Sequence, residues 1–186
     1  KGYELQDVPA PVLDEKRESE DAHRVIIEPI FAGVCGTDKG IWFRKAFREA
    51  ILQHLEQDKR RYFVMGHELL GRIVEIGSEV KRSGRFHVGQ VVGAESHIFC
   101  GKCPMCLSGD QHVCANERII GVTWDGVFAE RVKLPMNVLW PTVLEKIRPE
   151  VAAIQEPFGN AVHACTPNML GSDLRQSDAP CVNSSG

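Results

Sequence analysis

The chain contains no apolar run approaching the ~18 residues needed to cross a bilayer, and its opening KGYELQDVPAP lacks the apolar stretch of a secretion signal. A cytoplasmic location without membrane contact is the expectation. There is no excess of basic residues either: 22 Lys and Arg against 25 Asp and Glu give a formal net charge of −3. The two signs are interspersed, which argues against a nucleic-acid partner. No two glycines are spaced two apart. The G-x-G turn that seats a dinucleotide pyrophosphate on a helix N-terminus is therefore missing, and no Rossmann domain is expected in this chain.

What is present suffices for one globular domain: 186 residues, 43% hydrophobic and 25% charged, a length that buries a substantial core. Between Arg24 and Val132, short β-branched runs alternate with glycines in RVIIEPIFAG, GRIVEIGSEV, VGQVVGAE and GVFAERVKLP. That pattern predicts a mainly β, barrel-like body with a few helices. Phe43, Phe47, Ile51 and Leu55 recur every four residues among charged neighbours, which predicts one amphipathic helix. It would either pack on the barrel or form a flap over a cleft or a subunit contact. A second helix is expected through PEVAAIQEPFGNAVHAC, broken or kinked near Pro157 and Gly159, because proline lacks the backbone donor and clashes with the preceding turn. Residues 1–165 thus form the domain, and the polar, turn-rich residues 166–186 read as a loop or disordered tail.

Seven cysteines raise the question of disulfides, but four of them crowd into Cys100, Cys103, Cys106 and Cys114, spaced C-x2-C-x2-C-x7-C. A chain of this size and apolarity does not need stapling, and the spacing fits a metal in a reducing compartment. Four thiolates at ~2.3 Å around one ion form the tetrahedral structural-zinc arrangement. Gly101, Pro104 and Gly109 permit the tight turns that let one lobe, residues 96–118, wrap an ion, with His112 the only competing ligand nearby. A closed shell of four thiolates leaves no open position, so such an ion stabilises and does not catalyse.

Outside the lobe stand Cys35 in AGVCGTD, His67 and Glu68 in GHE, and Glu156 in QEPFGN. Each is weak alone, since a single buried cysteine is more often core than ligand. In this order around a four-cysteine lobe, GVCGTD, GHE and EPFGNAVHA resemble the successive signatures of the zinc-containing medium-chain dehydrogenases, over Val25 to Cys165. GHELLGRIVEIGSEV and ESHIFCGKC resemble the threonine and sorbitol-type members in particular.

The resemblance implies a GroES-like β-barrel catalytic domain and two zinc ions per chain. It implies a catalytic zinc held by Cys35, His67 and Glu156, with Glu68 an exchangeable fourth ligand or a supporting partner. One thiolate, one imidazole and one carboxylate would leave a position open for a substrate hydroxyl. Thr37 would then take the alcohol proton, His97 would line the substrate cleft, and Asp38 would cap or brace the Cys35 loop. The function implied is oxidation of a small secondary alcohol, threonine-like or a polyol, with NAD or NADP in the complete enzyme, which could be a homo-oligomer. The alternative is a non-enzymatic zinc scaffold or partner-binding module, which would hold one zinc.

Two departures qualify that expectation. Many family members carry a histidine five residues after the zinc cysteine as a proton relay, and here that position is Gly40. The nucleotide-binding domain is also missing, so the isolated chain is expected to be inactive, as an isolated domain, a truncated gene product or a frame-shifted reading.

Overall fold

The computed structural model describes residues 3–165, and the expected tail at 166–186 lies outside the described residues. Strand β1 (Arg24–Gly33) coincides with the run RVIIEPIFAG. Helices α1 (Gly36–Trp42) and α2 (Arg48–Gln57) follow, then β2 (Glu68–Ile76), α3 (Ser78–Ser83), β3 (Val91–Ala94) and β4 (His97–Ile98). After α4 (Pro104–Leu107) come β5 (Arg118–Ile119), β6 (Val132–Pro135), β7 (Leu139–Pro141), α5 (Pro149–Ala152) and α6 (Gln155–Cys165).

Five strands form one antiparallel sheet in the order β6-β1-β2-β3-β7, and β4 pairs with β5 in a separate ribbon. The edge strands β6 and β7 do not pair with each other, so the sheet is a curled half-barrel rather than a closed barrel. Register shifts at Ile26/Ile27 and Pro29/Phe31 in β1 add the local twist that curls it. Pro29 is tolerated because β6 pairs only with Arg24 to Ile27, leaving Pro29 on a free edge. Among the described residues helix is about as abundant as strand, which corrects the mainly β expectation. The β-branched runs contributed fewer strand residues than their length suggested: GSEV opens α3, and only the end of GVFAERVKLP is β6.

The core lies in the concave side of the sheet, where Val25, Ile27, Leu69, Ile73, Val92, Val132 and Leu134 pack with Val80, Phe86, Ile120 and Val127. Burial of each such side chain is worth roughly 1.5–3 kcal/mol. On the other side Leu70 meets Ala152 and Ala153, which seats α5 against β2.

The phenylalanine stripe does not form one helix. Phe43 caps α1, and Arg44 and Phe47 adopt left-handed backbone at φ 56° and 54°, so the four-residue period runs across a turn. Inward-facing Ile51 and His54 then bury α2, and Arg118 Nη2 on β5 lies 3.1 Å from His54 Nδ1. The second expected helix also breaks elsewhere, at Ala153–Ile154 between α5 and α6. Pro157 is the third residue of α6, where a backbone N–H has no intrahelical acceptor to lose. Proline is therefore compatible with an unbroken α6.

Candidate functional site

The lobe between β4 and β5 brings the sulfurs of Cys100, Cys103, Cys106 and Cys114 within 4.8 Å of one another. Gly101 at φ 71° and Gly109 at φ 94° make the turns, and Pro104 opens α4 directly after Cys103. Cys103 Sγ and Cys114 Sγ are 3.9 Å apart, close to the ~3.8 Å edge of a tetrahedron with ~2.3 Å metal–sulfur bonds. Backbone N–H groups point at the sulfurs, Cys100 N at 3.3 Å and Asn116 N at 3.4 Å from Cys114 Sγ. The Cys100 thiol is pushed down to about 6, first by the N–H of Lys102, and Cys103 is lowered by the N–H groups of Cys106 and Ala115. Burial and the neighbouring Cys103 push Cys106 up to about 12. Four such thiols cannot share their charge without a cation between them. The set fits one closed-shell metal ion.

A second cluster forms where β1, α1, β2 and α6 converge. Cys35 caps α1: its sulfur accepts from Thr37 N at 3.2 Å, and its own N–H donates to Asp38 Oδ2 at 2.9 Å. Asp38 therefore braces the Cys35 loop. Cys35 Sγ lies 3.1 Å from His67 Nε2. His67, Glu68 and Glu156 offer ligand atoms within 4.8 Å of one another, as do Cys35, Asp38 and His67. Both triads share His67, so the four residues singled out from the sequence, Cys35, His67, Glu68 and Glu156, meet in one place.

Several backbone devices put them there. Gly66 sits at φ 87° with the Phe128 ring against it, and Gly126 approaches Met65 and Gly66 so closely that a Cβ would lie 2.3 Å from either carbonyl oxygen. Gly126 N donates to Val64 O and Val127 N to Gly66 O, which ties the approach to His67 onto the 126–128 segment. Gly71 lies against Ile27 in the next strand. On the far side Gln155 Oε1 accepts from Trp140 Nε1 at 2.7 Å, pinning the first residue of α6 to β7 and so placing Glu156.

The cluster is buried: His67 is 8% exposed, Glu68 4%, Glu156 6% and Asp38 1%. No Lys or Arg ion pair among the described residues reaches these three carboxylates. Asp38 Oδ1 has no hydrogen-bond partner. Burial raises the Glu68 pKa, with His67 opposing and Glu156 and Asp38 adding to the rise. Buried acids with no cation of their own beside a thiol and an imidazole form a group that could hold a metal ion.

The cluster faces a cavity of about 240 Å³ whose walls include Cys35, Thr37, His67, Glu68, His97 and Glu156. Thr37 and His97 are both among the lining residues. His97 Nδ1 lies 2.9 Å from Glu95 Oε1, and this contact, opposed by burial, raises the His97 pKa. Phe47, Ser96, Ile119, Pro157 and Asn160 also line the cavity, and sequence reasoning did not single them out for it. Asn160, one helical turn after Glu156, carried the only usable signal. Gly40 lies beside a neighbouring hollow of about 310 Å³, between Lys39 and Lys45.

The profile of the alcohol dehydrogenase GroES-like domain matches residues 21–144. An L-threonine 3-dehydrogenase of Bacillus subtilis is 40% identical over 162 residues, covering 87% of this chain and 42% of that protein. The chain thus spans less than half the length of that curated relative. Among solved structures, galactitol-1-phosphate dehydrogenase from Escherichia coli superposes with a TM-score of 0.69 at 25% identity, over 86% of this chain and 40% of that one. A short chain alcohol dehydrogenase from Escherichia coli CFT073, complexed with cofactor NADH, gives 0.63 at 27% identity, over 86% and 40%. Fold, paired clusters and relatives agree: the chain belongs to the zinc-type medium-chain dehydrogenase/reductase family, through its alcohol dehydrogenase GroES-like domain.

Proposed function

We propose that this chain is the zinc-binding catalytic part of an NAD(P)-dependent dehydrogenase that oxidises a small secondary alcohol, threonine-like or a polyol. One observation carries the proposal: Cys35, His67, Glu68 and Glu156 converge on a single cavity that also presents Thr37 and His97. Cys35, His67 and Glu156 would hold the catalytic zinc, and Glu68 would approach or withdraw as an exchangeable ligand. When bound, zinc lowers the pKa of an alcohol hydroxyl toward neutrality. Thr37 Oγ1 would accept the hydroxyl proton while giving its own hydrogen to water in the cavity, and the nicotinamide of the complete enzyme would supply the acceptor for the hydride of the carbinol C–H. The four-cysteine lobe would hold the second zinc and contribute to folding alone, on the order of 10 kcal/mol in small zinc peptides.

The substrate class rests on the threonine 3-dehydrogenase relatives and on a cavity that takes a molecule of a few heavy atoms. Replacing zinc with cobalt(II) tests it. The visible spectrum of the cobalt-loaded chain is expected to shift on addition of L-threonine or sorbitol, and Cys35→Ala is expected to abolish the shift. A spectrum indifferent to both compounds would refute access of such alcohols to the site.

A further inference from the structure

The carboxylate of Glu156 is held from two sides by residues that belong to neither cluster. Ser96, in the turn between β3 and β4, is 3% exposed, and its hydroxyl donates to Glu156 Oε1 at 2.8 Å. From the next turn of α6, Asn160 Nδ2 donates to the same oxygen at 3.2 Å. A serine hydroxyl has one hydrogen to give. Two other groups lie near Ser96 Oγ, Glu95 Oε1 at 3.4 Å and His97 Nδ1 at 3.1 Å. The hydrogen goes to Glu156, the nearer carboxylate, while the His97 Nδ1–H turns to Glu95 Oε1 at 2.9 Å. The hydroxyl is therefore committed rather than free to rotate.

We propose that Ser96 and Asn160 are positioning residues that fix Glu156 through Oε1 and leave Oε2 as its ligating atom. This rests on the catalytic-zinc reading given above. A carboxylate free to turn could present either oxygen or both, and would lose rotamer entropy on each binding event. Two donors on one oxygen remove that freedom in advance. Ser96 carries most of the effect. Its bond is the shorter and more buried of the two, whereas Asn160 is exposed and water takes over its bond in part. The clamp also joins the two halves of the site, since Ser96 hangs from the sheet and lobe while Glu156 rides on α6.

The test is zinc affinity at each cluster, measured on the 186-residue chain by competition with a chromogenic chelator. Ser96→Ala is expected to weaken the Glu156 site about 10- to 100-fold, the range for partners that orient metal ligands, and Asn160→Ala by less. The four-cysteine site should keep its zinc in both variants, which certifies that they fold. Ser96→Thr, which keeps the hydroxyl, should restore most of the affinity. In a Glu156→Ala background, Ser96→Ala should cost nothing further, because the group it orients is gone. Unchanged affinity in Ser96→Ala beside a wild type that binds two zinc ions overturns the clamp alone. A wild type that binds one zinc, indifferent to Cys35→Ala, overturns the catalytic-zinc reading and the clamp with it.

Discussion

Glu68 lies directly over Gly33: the two residues are register partners across β1 and β2, and a Cβ at Gly33 would stand 1.8 Å from Glu68 Oε2. The missing side chain at position 33 is what lets a buried carboxylate turn into the cluster beside His67. Gly33→Ala is accordingly expected to drive Glu68 out of the cavity and to strain the β1–β2 pairing, since the methyl would also stand 2.9 Å from Glu68 Cβ, which no rotamer moves away. If Glu68 exchanges at the zinc, the cobalt(II) spectrum should change while the metal stays bound. A spectrum identical to wild type would remove Glu68 from the metal environment.

Gly40 stands where many relatives carry a relay histidine, and a Cβ there would lie 2.8 Å from the Ala46 Cβ. The turn that separates α1 from α2 fills the space, with Lys45 N and Ala46 N both donating to Gly40 O. Gly40→His is expected to destabilise the chain by about 1–3 kcal/mol through overpacking, a loss that helix propensity, worth ~1 kcal/mol at most, does not offset. Adding Ala46→Gly should recover most of it. Urea denaturation of the single and double variants measures both. Equal stability of Gly40→His and wild type would contradict the packing argument.

Asp21 is one of the carboxylates that tie stability to pH. Only 1% exposed, it accepts from Lys133 Nζ at 2.8 Å, from Arg24 Nη1 at 2.8 Å and from Asp14 N at 2.8 Å. Burial acts to raise its pKa, but Lys133, the Asp14 N–H and Arg24 together outweigh burial and lower it. A carboxyl whose folded pKa is depressed stabilises the fold above its unfolded value of about 3.9, and that stability disappears as pH falls through the lower folded value. Unfolding free energy should therefore decline with falling pH below about 4 in the wild type. Asp21→Asn should flatten that decline and cost about 1.5–3 kcal/mol at neutral pH, the range for hydrogen bonds to a charged group, since Lys133 and Arg24 keep Glu18 as a partner. A decline as steep in the variant would assign it to other carboxylates.

Legibility differed between the scaffold and the site. β1 could be read because RVIIEPIFAG carries β-branched residues without a helix period, and the lobe because its cysteine spacing is itself geometry. The Phe43–Leu55 stripe misled because periodicity does not register backbone sign: Arg44 and Phe47 turn left-handed in the middle of it. Pro157 misled because its cost depends on distance from the helix start, which only the break at Ala153–Ile154 sets. Cys35, His67, Glu68 and Glu156 were legible as types able to bind a metal. Phe47 was legible only as part of a stripe that could form a flap over a cleft, and Ser96 not at all, since a serine acquires a role at the cavity only when folding brings residues 47, 96 and 156 together.

The central claim is that the chain carries two metal centres of different kinds, and zinc per chain measured by elemental analysis under reducing conditions tests it most directly. The wild type should hold two zinc ions, Cys35→Ala one, and Cys103→Ala at most one, with Cys103→Ala also losing thermal stability through its lobe. A wild type with a single zinc that survives Cys35→Ala would contradict the account and leave only a zinc-stabilised scaffold.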